Sequence, residues 1–256
     1  MTKLVPSNLT MLYDGKLEGF LTAVFDAYAL KVLPESIQPS EHAQLALGQQ
    51  TYEVTTDASK AERVRVGICN KAGIGAYEKL KRAFLAHNRN RERGMFEYVV
   101  LCMEMGRKVN LALDIEAVAF VERLAQQVSN EQEDMYQFVR FEELQNGVYL
   151  AVINPKNNVT PLIIDHFAAR FNVQPFIIYD EVHKLAAVYD GKRRFFVQGE
   201  ELAQLPRSAS EPQYQLMWKT FYDSLFIEQR FAPDLRTNHL PKRFWKNLTE
   251  MRLATA

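Results

Sequence analysis

Apolar positions along this chain recur at two spacings. Long stretches repeat every three or four residues, as helices with one buried face do; short ones alternate every second residue, as half-buried strands do. Leu17, Phe20, Leu21, Val24, Phe25 and Tyr28 make one helical face and predict a helix from Leu17 to Leu30, with Pro34 closing the stretch. Ahead of it, Met11-Leu12-Tyr13 predicts a short strand ending in the Asp14-Gly15 turn. Residues 50–56 alternate and predict another strand. Ser59-Lys60-Ala61-Glu62 has capping-box spacing, in which the Ser side chain caps a backbone amide and the Glu reaches back. It opens a helical stretch toward His87, weakened by Gly67, Gly73 and Gly75, so a break or close helix packing is expected near Gly73. Residues 89–94 read as a polar connector, and residues 95–105 as an apolar helix ended by Gly106. A further helix covers residues 114–128, and the acidic run Asn130-Glu131-Gln132-Glu133-Asp134 reads as a linker.

Beyond that run the period shortens. Residues 136–144 and 148–153 predict two strands, joined by the hairpin dipeptide Asn146-Gly147. Thr160-Pro161 reads as a cap followed by proline in the first turn of a helix through Leu162, Ile163, His166, Phe167 and Arg170. Strands follow over residues 175–179, 185–189 and 193–197, the last two joined by Asp190-Gly191-Lys192. Ser210-Glu211-Pro212-Gln213 repeats the capping-box spacing and opens a helix through Leu216, Phe221, Leu225 and Phe226. The pattern predicts an α+β fold. Residues 1–130 form a mainly helical N-terminal region with a short sheet. Residues 135–256 form a mainly antiparallel β-hairpin–helix–β-meander domain with a C-terminal helix and a basic, aromatic tail.

Composition narrows the chemistry. The 256 residues are 47% apolar and 24% charged, enough apolar surface to form a core. Two cysteines, Cys69 and Cys102, cannot supply a four-thiolate zinc site or a Cys-ligated iron–sulfur cluster, and both are expected to be buried free thiols. The N-terminal Met1-Thr2-Lys3-Leu4-Val5-Pro6 lacks the apolar core of a signal peptide, and no run approaches the length of a membrane span, so a cytoplasmic protein without membrane contact is expected. The 31 basic and 31 acidic groups cancel, but unevenly. Residues 60–93 carry 10 basic and 3 acidic groups, residues 94–147 carry 4 and 10, and residues 214–256 carry 7 and 4. Overall neutrality is therefore compatible with a local basic face for nucleic acid.

Several catalytic classes find no support. The histidines show no pair at ligand spacing, so no metal site is predicted. There is no G-x-S-x-G nucleophile elbow. Gly73-Ile74-Gly75 is followed by Glu78 where a dinucleotide fingerprint needs glycine, and no Walker lysine occurs. The catalytic candidates are Asp14, His166 and His239, polar groups inside otherwise apolar blocks; the alternative is that Asp14 makes a turn and His166 fills a helix–sheet edge. No cofactor is predicted. The C-terminal part mixes cations with flat rings: Trp218, Lys219, Tyr222, Arg230, His239, Lys242, Arg243, Trp245 and Lys246, to which Arg140 and Arg170 are added as DNA-binding candidates. Cations neutralise phosphates and rings stack exposed bases. The competing reading puts Trp218, Phe221 and Leu225 in the core, uses Trp245 to dock the tail, and leaves Lys242, Arg243 and Lys246 merely solvated. The same choice applies to Arg63, Arg65, Lys79, Lys81, Arg82, Arg89, Arg91 and Arg93.

Several blocks occur together in order. Tyr13-Asp14-Gly15 precedes Leu17-Glu18-Gly19-Phe20-Leu21-Thr22-Ala23-Val24-Phe25-Asp26-Ala27-Tyr28. Phe138-Val139-Arg140-Phe141-Glu142-Glu143-Leu144, Ile153-Asn154-Pro155, Asp165-His166-Phe167-Ala168 and Arg170-Phe171 follow. Trp218-Lys219-Thr220-Phe221-Tyr222-Asp223-Ser224 and Leu240-Pro241-Lys242-Arg243-Phe244-Trp245-Lys246-Asn247-Leu248 close the series. Over nearly the whole chain this resembles the bacterial family described as radical-SAM-associated probable DNA metabolism or repair proteins. The C-terminal half is also similar to a domain fused to some uracil-DNA glycosylase-like proteins. The resemblance implies a DNA metabolism or repair accessory protein that binds DNA and works with a radical-SAM partner, which would carry the cluster this chain lacks. The alternatives are an enzyme acting on damaged or modified nucleotides and a protein adaptor without DNA contact.

Overall fold

The computed structural model of the protein describes residues 4–45, 48–200, 202–225 and 240–252. Arg230 and His239, and the expected helical position Phe226, lie outside the described residues. The chain forms two compact units, Met1–Ser129 and Asn130–Ala256. The fold is mixed, helical in the first half and built on a mainly antiparallel sheet in the second, as the hydrophobic pattern predicts.

In the first unit, β1 (Val5–Pro6) pairs in parallel with β3 (Val32–Leu33). Beside them β2 (Leu9–Tyr13) lies between β4 (Ser36–Pro39) and β5 (Gln50–Glu53), parallel to both. The helix α1 (Leu17–Leu30) follows β2 through the expected turn at Gly15, φ +76°. It stops before Pro34, because Lys31 enters the left-handed region at φ 58° and its N–H closes on Ala27 and Tyr28 carbonyls. The helix α2 (Ala58–Ala72) is capped by Asp57, which accepts from the Ser59 and Lys60 amides, rather than by the predicted box. Gly73 (φ +97°) breaks the stretch as expected, and α3 (Ile74–Phe84) continues beyond it. The predicted connector over residues 89–94 is mostly helix, since α4 (Arg91–Met105) begins inside it. The reason is that two of its charges point inward: Arg91 donates to the Phe84 carbonyl (2.6 Å), and the buried Glu92 accepts from the Tyr13 hydroxyl (3.0 Å). Met11, Phe20, Ile68, Leu80, Met95 and Val99 form the core between these elements.

The helix α5 (Glu116–Phe138) runs straight through the predicted linker. Val121, Leu124, Val128, Glu131 and Met135 are all buried and continue one helical stripe, with Glu131 occupying an apolar position in it. The helix also consumes the start of the strand predicted over residues 136–144, of which β6 (Glu142–Glu143) remains as a strand and Leu144 forms a single bridge to Arg207. In the second unit the sheet runs β10-β9-β8-β7-β6, where β7 is Tyr149–Ile153, β8 Phe176–Asp180, β9 Leu185–Tyr189 and β10 Arg194–Gln198. Only β7 and β8 are parallel, because α6 (Thr160–Phe171) connects them; the other neighbours are antiparallel. The Asn146-Gly147 turn forms with Gly147 at φ +77°.

Two predicted caps act otherwise. Thr160 sits one residue inside α6 and its hydroxyl donates to the buried Asp180 carboxylate (3.0 Å). Ser210 precedes α7 (Glu211–Ser224) without capping it; its hydroxyl meets that of Ser208 at 2.7 Å. The side chains of Trp218, Phe221 and Leu225 on and just after α7, read as core, are exposed instead.

Candidate functional site

One cleft in the second unit gathers rings from several elements. The end of α5 supplies Tyr136, the segment before β6 supplies Phe141, β7 supplies Tyr149, α6 supplies Phe171, and α7 supplies Tyr214 and Trp218. Their sequence positions span 83 residues or so, and only the β7–α6–β8 crossover and the return of α7 bring them together. The cleft encloses about 720 Å³, inside the rough 300–1,000 Å³ range of small-ligand sites. Its floor is fixed by ring packing. Phe141 meets Phe167, Phe171 and Phe176 edge-on, with centroids 5.3, 4.7 and 5.5 Å apart, and Tyr149 stacks on Phe171 at 6.4 Å.

Charge at the rim is organised by buried carboxylates. Glu250 accepts from Arg140 Nη2 and from Trp218 Nε1, both at 2.8 Å, and the Arg140 guanidinium lies 5.3 Å from the Trp218 ring centre. Burial alone would raise the Glu250 pKa, but the hydrogen bonds from Arg140 and Trp218 outweigh it and hold the carboxyl below its ordinary range. Glu211 accepts from the Glu143 amide (2.8 Å) and from Gln215 (3.1 Å), tying α7 to β6. Arg170 is different: it is exposed at the cleft and has no ion pair among the described residues. Gln137, Gln215 and Glu143 add polar groups to the wall. The arrangement offers flat rings for stacking, guanidinium groups for an anion, and side-chain amides for polar edges.

Of the predicted DNA-binding residues, Arg140, Arg170 and Trp218 line this cleft. Lys219 is paired with Asp223 one helical turn on (2.6 Å), and Tyr222 is half-buried. The tail residues are structural. Arg243 donates to the buried Glu131 (2.8 Å), Trp245 Nε1 donates to the Leu240 carbonyl (3.0 Å), and Lys246 pairs with Glu181 (2.8 Å). Glu131 also accepts from the Lys156 amide (2.8 Å) and from the Asn157 amide and side chain (2.7 Å each), so the tail block and the Asn154–Asn158 loop close on one carboxylate. Lys242 remains exposed. The other basic segment behaves likewise: Arg65 pairs with Glu62, Lys79 with Glu122, Lys81 with Glu78 and Arg93 with Glu97, while Arg63 covers the Phe25 ring and Arg89 is exposed.

The catalytic candidates do simple things. Asp14 accepts from the Lys16 amide (3.0 Å) in the turn before α1. His166 is exposed and stacks on Tyr136 with ring centres 4.1 Å apart, while its neighbour Asp165 pairs with Arg194. Cys102 is buried, and burial pushes its thiol up to about 11; Cys69 is only half-buried, a departure from the expected burial of both. Among the described residues no three His, Cys, Asp or Glu side chains group as metal ligands, and no helix is long and apolar enough to cross a membrane.

Residues 89–250 match the profile of DUF4130, a domain of unknown function. The chain belongs to this family. Every described residue lining the cleft falls within the DUF4130 span. No curated protein matches the chain.

Tyr136, Phe141, Tyr149, Phe171 and Tyr214 were not singled out from the sequence as ligand-facing. At that level their rings are indistinguishable from core, and no local spacing links them.

Proposed function

We propose that this protein is a DNA metabolism or repair accessory protein that holds an unpaired or extruded base in the aromatic cleft of its second unit, working beside a radical-SAM partner. The observation that carries the DNA reading is the cleft: rings on several sides, a guanidinium at Arg170 with no ion pair among the described residues, and a volume of about 720 Å³. Ring stacking is worth roughly 1–3 kcal/mol per base and tolerates any sequence, while a cation at the rim engages the backbone phosphate. Duplex DNA keeps its bases stacked inside, so such a cleft favours single strands, ends and flipped nucleotides. The radical-SAM association and the DNA repair setting rest on the family resemblance of the sequence blocks. The enzyme alternative is weaker, since Asp14 and His166 are each occupied by local packing or turn formation.

The test is fluorescence anisotropy with labelled single-stranded and duplex oligonucleotides over a salt series. Tighter binding to the single strand is expected. Trp218→Ala should weaken it about tenfold, as loss of one stacked ring. Arg170→Ala should weaken all sequences alike and flatten the salt slope by about 0.7, the loss of one phosphate contact. Binding by both variants at wild-type strength would remove the cleft from the account. Co-purification with a radical-SAM protein encoded beside this one tests the partner.

A second reading, a protein adaptor, draws on the exposed apolar side chains Tyr214, Leu216, Met217, Phe221 and Leu225. It expects partner binding that survives Arg170→Ala and is lost on Leu216→Asp.

A further inference from the structure

Among the described residues, the strand β10 ends the second unit's sheet, with β9 on one side and no strand on the other. Its whole length is exposed: Phe195, Phe196 and Val197 are 44%, 47% and 44% accessible. Open edges with apolar residues on both faces invite pairing with another chain, and proteins usually blunt them with proline, bulges or a central charge. This edge has none of these in Arg194-Phe195-Phe196-Val197-Gln198.

Its backbone has a definite free set of groups. The Asp190 amide bonds the Arg193 carbonyl and the Gly199 amide bonds the Lys184 carbonyl, each at 3.2 Å, so odd-numbered residues of this segment face β9. In an antiparallel ladder the direction alternates, which leaves the amides and carbonyls of Arg194, Phe196 and Gln198 directed outward. The charge around the strand is polarised. Lys192, Arg193 and Arg194 precede the apolar centre, and Gly199 and Glu200 follow it.

We propose that β10 pairs with β10 of a second copy of this chain, antiparallel across a two-fold axis at Phe196. That register sets Phe196 opposite Phe196 and Arg194 opposite Gln198, using only the outward groups. It also brings the Lys192 end of each copy beside the Glu200 end of the other. A parallel pairing would instead set like charges side by side, so the charge pattern selects a self-complementary, closed pair over an open array. A five-residue ladder is small, and the association is concentration-dependent.

Sedimentation equilibrium of the full chain over a concentration series tests this. The wild type should show a monomer–dimer equilibrium that weakens with salt. Phe196→Lys, which places a cation at the centre of the pair, should leave only monomer; the site is exposed, and circular dichroism checks that the variant is folded. Lys192→Glu and Glu200→Lys should each weaken the dimer about tenfold, since each is counted twice across the axis. The double variant Lys192→Glu/Glu200→Lys should restore it. A wild type that stays monomeric at every attainable concentration overturns the proposal. So does a dimer indifferent to Phe196→Lys, or a double variant no tighter than either single one.

Discussion

Glu131 shows how much one residue can decide. Its carboxylate lies in a helical stripe that is otherwise apolar, and it is spent on the Lys156 amide, the Asn157 amide and side chain, and Arg243. Arg243 is exposed and regains water when Glu131 is removed, but the buried Asn157 amide and side chain lose their acceptor, which costs about 1–3 kcal/mol. Glu131→Ala should therefore lower the unfolding free energy in a urea titration by that amount, with an earlier midpoint, whereas Lys156→Ala, which leaves the amide in place, should change it little. Equal midpoints for Glu131→Ala and wild type would contradict the assignment. The thiols divide by the same logic of burial. Burial raises the Cys102 pKa to about 11, so it holds almost no thiolate at neutral pH. A thiol-specific reagent should modify Cys69 in the native protein and Cys102 only after unfolding.

At the scale of elements, glycines separate crowding from propensity. Gly94 lies in α4, where a Cβ would come within 2.3 Å of the Phe120 ring carried by α5. Gly75 lies in α3, with nothing within 4 Å of that position. Alanine gains up to about 1 kcal/mol over glycine in a helix, while overpacking costs roughly 1–3 kcal/mol. Gly75→Ala should raise the melting temperature and Gly94→Ala should lower it; the opposite order would mean that the α4–α5 contact is looser than described. The predicted helices were right in kind because apolar spacing survives any tertiary setting. The predicted caps were wrong because Ser59, Thr160 and Ser210 had better hydrogen-bond partners than a helix amide, and only the fold supplies those partners.

Across the whole molecule, neutrality turns out to be local. Among the described residues, the ion pairs of both basic segments are made with carboxylates of the same unit, and Arg140, Arg207, Arg243 and Arg252 serve buried glutamates. Acid should expose this. Burial alone would raise Glu142, but hydrogen bonds from Arg252 and Arg207 outweigh it, and Glu142 and Glu250 both titrate below 4.5 when folded. The unfolded chain binds those protons first, so the stabilisation is complete above about pH 4.5 and is lost as pH falls through the lowered values. Asp134, raised by burial, works in the opposite sense. The melting temperature should fall steeply below about pH 4.5, and Glu142→Gln should flatten that fall. A flat profile down to about pH 3 would count against the buried pairs.

Hydrophobic periodicity by itself determined the α+β class and the span of α1, and glycine-containing turn signals determined the break at Gly73 and the turns at Asn146-Gly147 and Asp190-Gly191, because these depend on neighbours in sequence. Whether a charge is solvated or buried depends on what the chain brings to it from afar. Only the tertiary structure therefore decided that residues 130–134 are helix rather than linker, that Arg243 and Lys246 hold the tail, and that Arg170 has no ion pair among the described residues. The aromatic cleft was invisible for the same reason. Tyr136, Tyr149, Phe171 and Trp218 share no local pattern, and become a site only when α5, β7, α6 and α7 close around one space.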